Sequence, residues 1–383
     1  MKTITVRQPP YGHLPTSCES APSDIDAVTF NTGLGPGIVG LSSPRAPHVI
    51  DAVAETRFDV MCLQEVWTDG DRDAIIARLG LPPENVLFAR TVGVGETGED
   101  RCSSSDIDRL EACTARKCAD VVQEEVTGCA MANCHSALTG IFLGNRECLN
   151  CLAAMAGHPA DITRRVCTTR GASRIYGGRN GVILASRWPL RNREAILLPA
   201  SNANRVGLFA TVDVPGHGPV ELACTHISSD QEVPPYHSGY DTWDEEKEAQ
   251  LALIDAKLTA RAHGRPQIFF GDMNFGGARG ATVTDESGWV WYDAHERGFL
   301  DPAGFTDPEL CSICSGNSFV GHRDKSELID HALLRDPPGG DDLTPTCVER
   351  LFDRPVVVTG YHGEPVTTNL SDHYGIRVKF RFR

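Results

Sequence analysis

Fourteen cysteines stand in this chain of 383 residues, and eight of them (Cys102, Cys113, Cys118, Cys129, Cys134, Cys148, Cys151 and Cys167) crowd between positions 102 and 167. So dense a cluster reads as a disulfide framework, which implies an oxidising compartment and hence a secreted, extracellular protein. The opening residues, MKTITVRQPP, lack the apolar stretch of a secretory signal, so we expect a mature form with its signal removed. Zinc is the rival reading, because Cys148-x-x-Cys151 and Cys311-x-x-Cys314 have ligand-like spacing. The two lie too far apart in sequence to make a recognisable zinc ribbon, which favours disulfides. Cys113-x4-Cys118 and Cys129-x4-Cys134 mirror each other, as two antiparallel helices stapled twice would. The pairs expected are Cys113–Cys134 and Cys118–Cys129.

The cluster lies in a polar, alanine-rich segment, 96–172, with helical stretches over 105–125 and 130–142; it reads as an inserted helical subdomain. Either side of it, 20–95 and 173–383 carry short apolar runs bounded by Gly, Pro, Asn or Asp: DAVTFN, FDVMCLQEV, GVILAS, GLFATVDV, VELACTHI, QIFFGDMN, SELIDHALL and HYGIRVKFRF. Helical patterns at 48–56 and 245–261 alternate with these strands. The fold class expected is therefore α/β: a four-layer, two-sheet sandwich flanked by helices, one discontinuous domain interrupted by the Cys-rich insertion. No run approaches the roughly 18 apolar residues of a transmembrane helix. The formal charge is 36 − 51 = −15, which argues against a broad basic groove for nucleic acid.

Polar residues recur where the strands end. Asn31 closes the first, Glu65 the second and His226 a third, while Asp272 and Asn274 close a fourth in Gly271-Asp272-Met273-Asn274. Asp330 interrupts an apolar run, and Asp372 precedes His373 in Ser371-Asp372-His373. Each alone has an ordinary structural reading, a turn former or a solvated strand end. Together they supply hard oxygen ligands for Mg²⁺, Mn²⁺ or Ca²⁺ and two imidazoles for proton transfer.

The ordered set Asn31, Gln64-Glu65, Thr225-His226, Gly271-Asp272-Met273-Asn274, Asp330 and Ser371-Asp372-His373 resembles the endonuclease/exonuclease/phosphatase (DNase I-like) superfamily. The resemblance implies a metal-dependent phosphodiester hydrolase. Glu65 is then the principal metal carboxylate, with Asn31 and Asp372 close to the same ion. Asp272 and Asn274 position or activate the attacking water, His226 and His373 serve phosphate stabilisation and proton transfer, and Asp330 orients His373. The segment Gly178-Arg179-Asn180-Gly181-Val182, the pair Asn204-Arg205 and the Glu248-x-Gln250-Leu251 helix look sphingomyelinase-like. Arg179 and Asn180 are candidate phosphate contacts. Tyr240 and Trp243, in the aromatic loop after His226, are candidates for docking membrane lipid or stacking on bases. The leading substrate is a phospholipid head group. The alternatives are DNA, a soluble phosphoester and, in a different class, a catalytically inactive binding module. Asn369-Leu370-Ser371 forms a glycosylation sequon that abuts the Ser-Asp-His motif, where a glycan would block the site; it is read as coincidence.

Overall fold

Ten consecutive residues of the first strand, Ile25–Leu34, are buried, as happens when both faces of a strand are covered. The computed structural model describes residues 12–90, 101–169, 174–201, 203–230, 239–320, 326–336 and 343–383. The chain begins β1 (Ile25–Leu34), α1 (Ser42–Glu55), β2 (Val60–Val66), α2 (Asp69–Leu79) and β3 (Val86–Phe88). Five helices follow: α3 (Ser104–Lys117), α4 (Val126–Asn133), α5 (His135–Gly144), α6 (Arg146–Ala154) and α7 (Ala160–Thr169). The chain then returns to sheet with β4 (Ile183–Ser186), β5 (Arg191–Leu198), β6 (Arg205–Val214) and β7 (Gly218–His226), crosses α8 (Trp243–Ala262), and forms β8 (Gln267–Asp272). The remainder is β9 (Val283–Thr284), α9 (Gly288–Glu296), β10 (Ser326–Glu327), β11 (Asp330–Arg335), β12 (Leu343–Leu351), β13 (Val356–Thr359), β14 (Pro365–Thr368) and β15 (Gly375–Phe382).

Two sheets make the sandwich, one of order β12-β15-β1-β2-β4-β3 and one of order β11-β8-β7-β6-β5. Their inner faces enclose a core that includes Ala27, Val60, Leu208, Leu222, Phe270 and Val378. Outside the first sheet, Val49 and Val53 of α1 and Ile75 of α2 pack on Val28, Phe30 and Met61. Outside the second, Leu251, Ile254 and Leu258 of α8 and Val290 of α9 pack on Phe209 and Phe269. These are the four layers read from the sequence. In each sheet one pair is parallel, β1 with β2 and β7 with β8, and a helix connects its two strands.

The helices of 101–169 enter between β3 and β4, which are antiparallel neighbours. The limits expected for the insertion, at 95/96 and 172/173, lie outside the described residues. All fourteen cysteines pair. Cys113–Cys134 and Cys118–Cys129 form as the spacing predicts, and Cys102–Cys148 and Cys151–Cys167 complete the framework. Cys148 and Cys151 therefore take different partners, while Cys311 and Cys314 pair with each other. The helical reading is corrected in detail. The stretch 105–125 stops as a helix at Lys117 and 130–142 breaks at Cys134, because the paired cysteines cap the helix ends at the turns. The run SELIDHALL is likewise two strands, interrupted at Leu328 and Ile329.

Candidate active site and metal centre

Strand alternation selects which polar residues meet. Ile25 and Ala27 face the inter-sheet core, so Asn31, on the same parity, lies on that face where the regular β1–β2 register stops. The same count carries Leu222 and Cys224 to His226, Ile268 and Phe270 to Asp272, and Ala332 back to Asp330. Register finishes the alignment, since Asp272 pairs with His226 across β7–β8 and with Asp330 across β8–β11. Three functional groups thus stand side by side on adjacent strands. Gly271 permits the close approach, because its φ is +151° and a Cβ there would sit 2.1 Å from the Thr225 carbonyl oxygen. Cys62 and Cys224 bridge the two sheets just below Glu65 and His226.

Glu65 falls on the wrong parity, beside Met61 and Leu63, which face α1 and α2. A left-handed backbone, φ 57°, interrupts the alternation within β2 and turns the carboxylate toward Asn31. Asn274 has the same conformation, φ 47°. Such conformations cost about 1 kcal/mol or more for non-glycine residues and gather at functional sites. Gly33 also has positive φ, +56°, and a Cβ there would lie 2.9 Å from Asp372 Oδ1, so the loop after Asn31 closes tightly on the Ser-Asp-His segment. Arg45, fully buried, donates to the Gly33, Gly40 and Leu370 carbonyls and ties that loop to the residues before Ser371.

Hydrogen bonds converge on Asp272. Its Oδ2 accepts from Asn31 Nδ2 at 2.8 Å and lies 3.3 Å from His226 Nε2, and its Oδ1 accepts from the Asn274 backbone N–H at 3.0 Å. Against the effect of burial, these neighbours and His373 hold its carboxyl well below the usual carboxylate range. His373 Nδ1 is 2.7 Å from Asp330 Oδ2, and its Nε2 turns toward Asp272 at 3.9 Å. Burial opposes protonation of this ring, yet Asp330 and Asp272 hold it well above the ordinary histidine value. His226 goes the other way: burial, then the Arg205 guanidinium, lower it to about 4, so it is neutral at physiological pH. The two imidazoles are thus differentiated by their surroundings, one cationic and one neutral.

Glu65 is pushed up to about 7 by burial and by the carboxylates of Asp372 and Asp272, against the pull of His373. A carboxyl raised by two neighbouring carboxylates marks an excess of negative charge. With the Asn31 amide beside it, the donor set is all oxygen, which fits a hard divalent cation. Ligand atoms of Asp272, Asp330 and His373 also lie within 4.8 Å of one another, although the short His373–Asp330 hydrogen bond already fills part of that space with a proton.

The other sequence candidates lie differently. Arg179 donates to Asp69 and to the Tyr176 carbonyl, and Asn180 bonds the Ala89 carbonyl and the Val182 N–H. Both side chains therefore brace the turn before β4. Tyr240 and Trp243 are half-buried at the start of α8, and most of the aromatic loop before them (231–238) lies outside the described residues. Asn369 of the sequon is buried against Tyr374, which leaves no room for a glycan.

Arg205, from the Asn204-Arg205 pair singled out in the sequence, and two rings that the sequence reading passed over complete the site. Arg205 is 6% exposed with its Nη1 lacking a hydrogen-bond partner, and Glu65, Asp272 and Glu246 act on it electrostatically. Trp67 packs on Tyr176 (centroids 5.0 Å) and on His226 (6.4 Å), forming an aromatic wall. The resemblance of Asn204-Arg205 signalled the first, and nothing local signalled the wall.

Residues 28–373 match the model of the Endonuclease/Exonuclease/phosphatase family. The chain belongs to that family. Solved structures similar to it include sphingomyelinase C from Streptomyces griseocarneus, at 18% identity and a TM-score of 0.52, over 94% of this chain and 99% of that one. A variant of beta toxin from Staphylococcus aureus, with bound magnesium ions, is similar at 14% identity and 0.53, over 93% and 99%. Truncated Caenorhabditis elegans TDP2 is similar at 14% and 0.51, over 94% and 97%. At these identities the likeness establishes a shared fold. No curated protein matches the chain in sequence. The family takes its name from enzymes that cleave phosphoesters, and among the described residues no helix is long and apolar enough to cross a membrane.

Proposed function

We propose that the protein is a secreted, divalent-metal-dependent hydrolase of phosphodiesters whose leading substrate is a phospholipid head group, cleaved in sphingomyelinase or phospholipase C fashion. The observation that carries the reading is the meeting of Glu65, Asp372 and Asp272 with one cationic and one neutral imidazole at the ends of two parallel strand pairs. Glu65, with Asn31 and Asp372, would hold Mg²⁺ (Mn²⁺ or Ca²⁺ as substitutes), which when bound would supply positive charge to neutralise the phosphoryl oxygens. Asp272, ionised, orients the attacking water with Asn274 and accepts its proton as the new P–O bond forms. His373, kept protonated by Asp330, donates to the phosphoryl group and then to the departing oxygen. His226 braces Asp272, and the unpartnered Arg205 N–H is available to a phosphate oxygen.

Charge supports the substrate class. The chain carries −15, and Arg45 and Arg179 are engaged by backbone carbonyls and Asp69. A single phosphodiester bearing a zwitterionic head group suits this balance better than a polyanion. Tyr240 and Trp243, half-buried at the start of α8, offer rings for a lipid interface or a head-group cation. Seven disulfides support secretion. The test is a paired assay of the oxidised protein with Mg²⁺, Mn²⁺ and EDTA on sphingomyelin and phosphatidylcholine vesicles and on supercoiled plasmid. Phosphocholine release that EDTA stops, with plasmid intact, is expected. Plasmid nicking without lipid cleavage would make the protein an endonuclease.

A further inference from the structure

The Cys311-x-x-Cys314 motif has no part in the chemistry above, yet it touches the catalytic dyad through one residue. Ser312, inside the loop that the disulfide closes, accepts at Oγ from the backbone N–H groups of Ile329 (3.1 Å) and Asp330 (3.2 Å). Its carbonyl accepts from the Tyr374 N–H at 2.7 Å, directly after His373. One serine therefore grips both strands that bring Asp330 to His373. Arg350 stands over the disulfide, with Nη1 3.6 Å from each sulfur and its guanidinium 5.0 Å from the Tyr374 ring centroid.

We propose that Cys311–Cys314 is a redox-active disulfide, a site for exchange with a dithiol, and that its opening releases the Ser312 grip and weakens hydrolysis. The inference rests on the reading of Asp330 and His373 as catalytic machinery. Three features favour opening of this bridge over the two long ones. It closes a ring across a sequence separation of 3, whereas Cys62–Cys224 spans 162 and Cys18–Cys347 spans 329. So short a loop gives up the least chain entropy on reduction, which makes the bond easier to open. Cys311 and Cys314 are 5% and 6% exposed, while all four cysteines of the two long bridges are fully buried. The Arg350 guanidinium, paired with Asp353 at 3.3 Å, presents its Nη1 to both sulfurs and favours a thiolate on either, and a stabilised leaving thiolate speeds exchange.

The step balances. A thiolate of the dithiol attacks one sulfur, the other leaves as a thiolate beside Arg350, and a mixed disulfide forms. The second thiol of the reductant then closes its own disulfide and releases the remaining cysteine. Two electrons and two protons pass to the protein. An enzyme gated in this way stays weak wherever dithiols are abundant and gains full activity after oxidation.

The test is stepwise reduction of the oxidised protein with dithiothreitol, alkylation of freed thiols and mass mapping, with kcat and KM for bis-p-nitrophenyl phosphate in Mg²⁺ measured on the same samples. Cys118–Cys129, whose Cys129 is half-buried, is the bridge most open to attack, so the Cys118→Ser/Cys129→Ser variant serves as control, and the mass mapping follows Cys102–Cys148 and Cys113–Cys134 alongside it. We expect kcat to fall roughly tenfold as Cys311 and Cys314 become labelled, with KM little changed, since small misplacements of a catalytic group act on turnover. Reoxidation restores it. The control responds like the parent, and Cys311→Ser/Cys314→Ser starts low and ignores the reductant. Labelling of Cys311 and Cys314 only on global unfolding, or labelling without loss of kcat, overturns the proposal. If the oxidised protein hydrolyses no diester, the functional reading fails instead. The His373 ring ¹⁵N shift on the same samples then shows whether opening the bridge disturbs the dyad, and an unmoved shift overturns the inference.

Discussion

The sandwich and the helical insertion achieve order by different means. Between the sheets, strands distant in sequence bring Leu208, Leu222, Phe270 and Val378 into one core, with a single disulfide, Cys62–Cys224, crossing it. In the insertion the largest cluster holds seven buried residues among those described, and four of them are cysteines. Four disulfides staple its five helices. A segment with so little apolar surface to bury stays folded through covalent links, because they limit its unfolded states. The insertion docks by polar contacts: Glu124 accepts from Ser43, Glu125 from Leu41, and Gly157 abuts Pro36 and Gly37 in the loop that follows Gly33. The proposed chemistry belongs to the sandwich, and the helices of 101–169 frame one edge of it.

The sharpest way to break this division is to remove the chemistry and leave the fold. His373→Ala and Asp272→Asn should each lower phosphodiester hydrolysis by roughly 10²–10⁴-fold while the melting temperature stays near that of the parent. Collapse of the fold with activity would mean that these residues hold the sheets together. Within the sandwich, Leu208→Ala empties a fully buried position and should cost about 3 kcal/mol in urea unfolding, with no change in disulfide pairing. In the insertion, Cys113→Ser/Cys134→Ser should cost about 3 kcal/mol locally. Limited proteolysis should then cut between 104 and 169 while the sandwich fragments survive, and equal cleavage of both regions would erase the distinction.

A smaller effect follows from pH. Burial pushes the Asp26 carboxyl up to about 6, against the pull of Arg377 and Lys379. The folded state then binds this proton more tightly than the unfolded chain, so the contribution is complete below about pH 4 and is lost as pH rises through about 6. Asp26→Asn should flatten the pH dependence of unfolding free energy across that window by about 1–2 kcal/mol, read from urea midpoints. An unchanged slope would show that the Arg377 pair keeps Asp26 ionised.

Much of this was legible in the sequence, for physical reasons. Strands end in polar residues where a buried sheet meets a cleft, so Asn31, His226, Asp272 and Asp330 stood out against apolar runs of fixed period. The mirrored spacing about the α3–α4 turn pointed to Cys113–Cys134 and Cys118–Cys129, and the structure forms both pairs. Tertiary structure alone decided the rest. Two CxxC motifs of identical spacing met opposite fates, Cys148 and Cys151 parting and Cys311 and Cys314 pairing, since pairing depends on which backbones approach. Glu65 reached the cleft only by leaving strand geometry, and the charge interactions that bring Arg205 of β6 to Glu65 and Asp272 cross between strands far apart in the chain. The opposite shifts of His226 and His373 likewise arise from neighbours far away in the chain, which no local pattern encodes.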